Sequence, residues 1–311
     1  MIEVKELTKR YGNKTAVDRI SFSAGAGEIL GILGPNGAGK TSTMRMLTGF
    51  MPPTDGSATL DGFDIVADSM EVRRRVGYMP ERVPLYPDMT VEEYVRFWAK
   101  LRGVRRPQKS IEAVLDRVQL LDRRRSLVRS LSKGLKQRLG LAQTLVHNPK
   151  VIILDEPTIG IDPQQVIEVR AAVRDLAHNH TVLFSTHILS EAEQVCDRVI
   201  ILNQGRIVAE GTPAELRQKL YPGDSVFVQI GGVGHAKPEK TLRGINGVKQ
   251  VQKLAGGYAL EAVAGRDIRA DVVKRIQQAG WTLLELRPVA VTLEDIFLKI
   301  VSREDAEEQA E

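Results

Sequence analysis

Apolar positions along the chain fall into two kinds of pattern. Ile2 and Val4, and later Ile20 and Phe22, alternate with polar neighbours on either side of the turn Tyr11-Gly12-Asn13-Lys14, as half-buried strands do. Ser57-Ala58-Thr59-Leu60-Asp61-Gly62 reads as another hairpin arm, so a small antiparallel sheet is expected near the N-terminus. Residues 28–33, 151–154 and 181–185 are instead apolar runs without alternation, the mark of strands covered on both faces. A helix predicted over 164–177 separates the last two runs, and this alternation points to a mostly parallel sheet. Residues 42–48 read as a helix closed by Gly49 and Pro52-Pro53. Helical character then dominates residues 90–147, opened by Thr90 as N-cap with Glu93 three residues on, a capping box.

Beyond Leu220-Tyr221-Pro222-Gly223-Asp224 the pattern changes. Strand 225–230, helix 239–245, strands 248–254 and 258–263, helix 266–279, strand 282–287 and a last helix 293–301 are predicted, the order of a split βαβ, ferredoxin-like module. The expected organisation is a domain over 1–220, an accessory domain over 223–303 with no catalytic constellation, and a polar tail over 304–311.

Composition narrows the class. A chain of 311 residues suits about two domains, and 42% hydrophobic with 27% charged residues is ordinary for a soluble globular protein. No apolar run approaches the ~20 residues of a membrane helix, and no secretory leader is visible at the N-terminus. The single cysteine, Cys196, excludes an internal disulfide framework and reads as a small buried residue within a helix. The expected compartment is the cytosol. A net charge of +5 suits polyphosphate handling or an anionic membrane face. Arg73-Arg74-Arg75 and Arg123-Arg124-Arg125 read as solvated helix faces, because no aromatic residues interleave with them as base-stacking platforms would; no nucleic-acid partner is expected.

The chemistry concentrates at Gly34-Pro35-Asn36-Gly37-Ala38-Gly39-Lys40-Thr41, which fits G-x-x-x-x-G-K-[ST] at every fixed position, after a strand and before a helix. Glycines let successive N–H groups point at phosphate oxygens, and the helix N-terminus adds positive potential. Lys40 would reach the β- and γ-phosphates while the Thr41 hydroxyl holds Mg²⁺. The run ending in Asp155-Glu156 places two carboxylates at the end of a parallel strand, where ligands gather. Asp155 can hold Mg²⁺ beside Thr41, and Glu156 can accept the proton of an attacking water. Residues 181–186 deliver His187 to the same edge, where imidazole can contact a γ-phosphate.

With these residues in hand, the chain resembles the ATP-binding cassette (ABC) family of transporter nucleotide-binding subunits over residues 1–215. Leu131-Ser132-Lys133-Gly134-Leu135-Lys136-Gln137-Arg138 is similar to the family's Leu-Ser-Gly-Gly-Gln signature, with Lys133 for the first glycine and Leu135 for the glutamine. Ser132 suits an N-cap, and Leu135, Leu139 and Ala142 follow at helical spacing as a buried stripe. The resemblance implies a P-loop NTPase α/β head of mixed sheet, antiparallel β subdomain and helical subdomain, followed by a small α+β domain. It implies ATP and Mg²⁺ as cofactors, held by Asn36, Gly37, Gly39, Lys40, Thr41 and Ser42, with Tyr11 stacking on adenine. Glu81 stands where the family has a metal-touching glutamine, so Thr41, Asp155 and Glu81 form the implied metal set; Glu156 and His187 are the implied catalytic pair. Ser132 and Gly134 would face the nucleotide of a second head, itself or a homologue, and Asn36 and Asp162 match positions that communicate across that interface. Glu81, the signature variants and Val291-Thr292-Leu293-Glu294-Asp295-Ile296-Phe297 resemble the branch that serves ABC-2 type permeases, which implies an exporter ATPase on the cytoplasmic face of the membrane, docking through residues 83–101. The alternatives are a soluble cassette ATPase acting on DNA or the ribosome, and a kinase or GTPase using the same loop; the latter leaves Ser132-Lys133-Gly134 and His187 unexplained.

Overall fold

The first two strands, β1 (Ile2–Tyr11) and β2 (Lys14–Ala24), form a hairpin that turns at Gly12 and Asn13, and β1 also pairs with β4 (Asp55–Leu60), which continues to β5 (Phe63–Asp64). This antiparallel sheet runs in the order β2-β1-β4-β5, as the alternation predicts. The apolar runs become β3 (Ile29–Leu33), β7 (Val151–Asp155) and β8 (Thr181–Thr186), every residue of them buried. They join β6 (Val76–Met79), β9 (Arg198–Asn203) and β10 (Arg206–Gly211) in a sheet of order β10-β9-β3-β8-β7-β6. All its pairs are parallel except β9 with β10.

The computed structural model describes residues 1–220, 225–232, 238–254, 256–263 and 266–288, with residues 293, 294 and 297. Contacts divide the chain into Met1–Thr212 and Pro213–Glu311. In the first unit, α1 (Lys40–Leu47) buries Met44, Met46 and Leu47 in one core with Ile2, Val4 and Leu60 of the antiparallel sheet and Leu30, Ile32, Val151, Ile153 and Leu183 of the parallel one. Each such side chain contributes about 1.5–3 kcal/mol by leaving water, which clamps α1 and the loop before it between the two sheets. α2 (Ser69–Arg75) leads into β6 and carries Arg73 and Arg74 on its exposed side, with Arg75 half-buried. The helical region is α3 (Val91–Leu101), α4 (Pro107–Arg117) and α5 (Lys133–Leu145), which pack on one another; Thr90 and Glu93 make the reciprocal capping box at its start. α6 (Pro163–Leu176) follows β7, and α7 (Leu189–Val195) follows β8.

Two local expectations are corrected. Cys196 is buried but lies just past the end of α7 in extended backbone, because Asp197 accepts from Ile29 N–H at 2.8 Å and pulls the chain into the sheet there. Leu135 is only half-buried, whereas Leu139 and Ala142 are fully buried; the first turn of α5 projects beyond the core.

The second unit contains α8 (Pro213–Leu220), β11 (Ser225–Gly231), α9 (Pro238–Arg243), β12 (Val248–Leu254), β13 (Gly257–Ala262), α10 (Arg269–Gln278) and β14 (Thr282–Pro288). Its antiparallel sheet has the order β12-β13-β11-β14, the split βαβ arrangement, over a core of Val226, Val228, Leu242, Leu260, Ile268, Val272 and Ile276. Of the predicted helix 293–301 only residues 293, 294 and 297 are described, and the tail over 304–311 lies outside the described residues.

Candidate nucleotide site

Three parallel strands end at one edge of the larger sheet, and each delivers chemistry there. After β3 the chain turns through Gly34, Gly37 and Gly39, all at positive φ, before α1 begins. Gly39 combines φ +107° with an approach so close that a Cβ would sit 2.6 Å from the Ala16 carbonyl oxygen, so no other residue fits. Lys40, the first residue of α1, is 6% exposed. Its Nζ donates to the carbonyls of Gly34 at 2.7 Å and Pro35 at 3.2 Å, across the mouth of the loop.

β7 ends in Asp155, 1% exposed, and Glu156, 6% exposed. Asp155 Oδ1 accepts from Ser185 Oγ at 2.7 Å and from Thr41 Oγ1 at 3.4 Å, and its Oδ2 accepts from Tyr78 OH at 3.5 Å. Three donors from β8, α1 and β6 thus fix this carboxylate beside Thr41. Burial first, and the Asp155 charge second, push the Tyr78 hydroxyl up to about 12, so it stays a proton donor throughout the neutral range. Glu156 occupies left-handed backbone at φ +51°, a conformation costly for a residue with a Cβ and held only where its surroundings over-determine it. Its N–H donates to the Ser185 carbonyl at 3.2 Å and to Ser185 Oγ at 3.1 Å. The turn aims the side chain back across the sheet edge. Glu156 Oε1 lies 3.4 Å from Lys40 Nζ, and its Oε2 lies 2.8 Å from His187 Nδ1.

A cleft of about 780 Å³ opens over this edge. Of the residues expected to bind nucleotide or metal or to act on it, Tyr11, Asn36, Gly37, Gly39, Lys40, Thr41, Ser42, Glu81, Glu156 and His187 line it. Tyr11 stands at its rim, 47% exposed, its hydroxyl on Met51 Sδ at 3.1 Å and Lys9 Nζ 5.6 Å from its ring centre. Asp155 sits immediately beneath, hydrogen-bonded to Thr41. Glu81 is solvent-exposed on the far wall. No cluster of three or more His, Cys, Asp or Glu side chains that would cage a metal occurs among the described residues.

Ser132 and Gly134 do not line this cleft. Ser132 caps α5, accepting from Leu135 N–H at 3.3 Å. Gly134 is buried beneath Gln165 of α6, whose amide oxygen occupies the space a Cβ would need, and the Lys133 ammonium lies against Gly160. Asp162 caps α6 with two bonds of 3.1 Å, to Gln164 and Gln165 N–H. Ser185 and Tyr78, which hold Asp155, went unread in the sequence. Their signal was a hydroxyl placed within a buried strand, a group that must find a partner once it leaves water.

Comparison with known proteins agrees with this geometry. Residues 17–159 match the family described as ABC transporter, and residues 211–301 match the C-terminal domain of proteins described as ATP-binding protein DrrA1-3-like. The chain is similar to the linearmycin resistance ATP-binding protein LnrL of Bacillus subtilis, 32% identical over 97% of this chain and 99% of that one. It is likewise similar to the Nod factor export ATP-binding protein I of Ralstonia nicotianae, 39% identical over 98% of this chain and 94% of that one. Among solved structures, a dimeric post-hydrolysis state of the ATP-binding cassette MJ0796 bound to ADP and Pi superposes with a TM-score of 0.61 at 25% identity, over 68% of this chain and 98% of that one.

Proposed function

This chain belongs to the ABC transporter family as an ATP-binding, ATP-hydrolysing subunit, and from that premise we propose that it drives export through a separate membrane-spanning permease of the ABC-2 type. No helix among the described residues is long and apolar enough to cross a membrane, and the proposed permease is a separate chain engaged from the cytoplasmic face. The relatives named for resistance and for export support the outward direction. The observation that carries the reading is the meeting of Lys40, Thr41, Asp155, Glu156 and His187 at one sheet edge.

Each residue then has a task. The loop amides and the N-terminus of α1 receive the phosphates, and Lys40 exchanges the Gly34 and Pro35 carbonyls for phosphate oxygens. Thr41 and Asp155 offer only oxygen donors, 3.4 Å apart, a set that fits a hard cation completing its shell from phosphate and water. Mg²⁺ held by these two residues would supply neutralisation of phosphate charge. Glu156 accepts a proton from the attacking water. His187 Nδ1 lies 2.8 Å from Glu156 Oε2 and so fixes the ring, leaving Nε2 to contact the γ-phosphate.

Ser132 is exposed at the N-terminus of α5, where its hydroxyl and the helix end can receive the nucleotide of a facing head, a copy of this chain or a homologue. Gly134 joins that contact once Gln165, which covers it, moves aside. The dimeric, ADP- and Pi-bound MJ0796 structure supports the pairing of two heads. A second cavity of about 830 Å³, walled by Phe50, Met70, Trp98 and Leu101 and rimmed by Arg73 and Arg102, adjoins the end of the expected 83–101 docking face, and its exposed apolar walls support docking of the permease there.

The test is direct. With E156Q to stop turnover, light scattering with ATP and Mg²⁺ should show a dimer that ADP does not support, and affinity purification from membranes should bring down a multi-span protein. A strict monomer under those conditions, or recovery of ribosomes or DNA in place of a membrane protein, would overturn the reading.

A further inference from the structure

We infer that Glu191 is a positioning residue for ATP hydrolysis: its buried carboxylate ties the loop that carries Glu156 to the loop that carries His187. The inference rests on the assignment of that pair to the hydrolytic step. Glu191 sits in the first turn of α7 and is 1% exposed, an unusual place for a carboxylate. Its Oε2 accepts from Thr158 Oγ1 at 2.6 Å and from Thr186 Oγ1 at 3.1 Å. Its Oε1 faces Arg170 Nη2 of α6 at 3.3 Å. Thr158 is two residues beyond Glu156, and Thr186 is the residue before His187. Both threonines are buried, at 2% and 0% exposure.

One carboxylate therefore bridges the ends of two neighbouring strands immediately behind the Glu156–His187 contact of 2.8 Å. The bridge is also extended into the backbone, because Thr186 Oγ1 accepts from Ile188 N–H at 3.0 Å and so orders the turn that follows His187. A buried ion pair is weak evidence for stability, since an apolar group of the same size often does as well. What a carboxylate with three fixed partners adds is direction. Here that direction sets where the strained turn at Glu156 points relative to the imidazole. A shift of about 1 Å between a base and its orienting partner is enough to cost on the order of 100-fold in rate.

The experiment compares E156Q, E191Q, T158V and T158S in the full chain, reading kcat, ATP KM and thermal unfolding. Both E191Q and T158V should lower kcat by about tenfold or more with KM within about twofold, since binding groups on α1 are untouched. T158S, which restores the hydroxyl alone, should recover most of the rate that T158V loses. The inference fails if E156Q abolishes turnover while E191Q and T158V run at the wild-type rate. It fails equally if their losses merely follow the fall in unfolding temperature and T158S is no better than T158V. Full turnover by E156Q would instead remove the premise about the pair itself, and the inference with it.

Discussion

Lys40 and Glu156 face each other at 3.4 Å with side chains only 6% and 8% exposed, each the other's counter-charge beneath the phosphate loop. Removing one partner of such a pair leaves an uncompensated buried charge. K40M should therefore abolish nucleotide binding and also destabilise the protein, by about 3 kcal/mol, the low end of the usual range, because Glu156 retains His187. The double variant K40M/E156Q should regain most of that stability without regaining binding. Chemical denaturation of K40M, E156Q and the double variant checks the first statement and equilibrium titration with ATP the second. Additive losses in the double variant would show that the two charges are not coupled.

Leu101 is 63% exposed at the edge of the second cavity, so a polar group there costs the fold little, within about 0.5 kcal/mol. L101D should leave basal ATP hydrolysis and unfolding temperature unchanged while abolishing recovery of the membrane partner. Arg73 and Arg102 make no ion pair with an acidic residue among the described residues, and burial together with the Arg73 charge lowers the Arg102 pKa. An anionic group on the partner relieves that repulsion, so R73E should weaken recovery more at low than at high salt. Undiminished recovery by L101D would move the docking surface elsewhere.

Much of this site could be read before any coordinates, for a physical reason. A strand buried on both faces is dominated by apolar residues, so β3, β7 and β8 announce themselves, and a polar residue at the end of such a run has a functional or a capping task. Asp155, Glu156 and His187 are found by that rule, and Lys40 by its place in the glycine-rich phosphate-loop pattern. Glu191 is not, because in a seven-residue helix it reads as an ordinary exposed acid, and its partner Thr158 is 33 residues away in sequence. The same limit hid Gln165 over Gly134, a contact between helices that periodicity does not encode. In the second unit the order of elements was legible from alternation alone, whereas the start of α10 shifted from 266 to Arg269, where Asp267 accepts from Arg269 N–H and delays the helix.

His147 gives the first unit a defined acid sensitivity. Burial, helped by the Arg102 charge, pushes its imidazole down to about 4, against an ordinary value near 6.5. Its Nε2 lies 3.2 Å from the Val76 carbonyl, and its Nδ1 is buried without a partner. A histidine whose folded pKa is depressed binds its proton more readily when unfolded. Its stabilising effect is complete above about 6.5 and fades as the pH falls toward 4, by on the order of 3 kcal/mol in total. H147Q keeps an N–H for Val76 and removes the titration. Thermal unfolding from pH 7 to pH 4 should accordingly fall less steeply in H147Q than in the wild type; parallel curves would assign the acid sensitivity to other groups.

Ser132 separates a structural from a catalytic task by the choice of replacement. As the N-cap of α5 it accepts from Leu135 N–H, and losing such a cap costs about 1 kcal/mol. S132A should show that loss in unfolding, and, if the hydroxyl completes a facing head's phosphate site, a drop in kcat far beyond what the small loss of stability explains. S132D sharpens the distinction. Aspartate caps a helix as well as serine does, so the fold is kept, but its charge repels the γ-phosphate of the opposing nucleotide. Turnover should therefore fall in S132D while stability and the affinity of the isolated head for ATP stay at wild-type values. A mixture of S132D heads with E156Q heads then closes the case: in a mixed dimer one of the two composite pockets carries both lesions and the other neither, so turnover should return on mixing. No recovery would mean that each head hydrolyses ATP with its own residues alone.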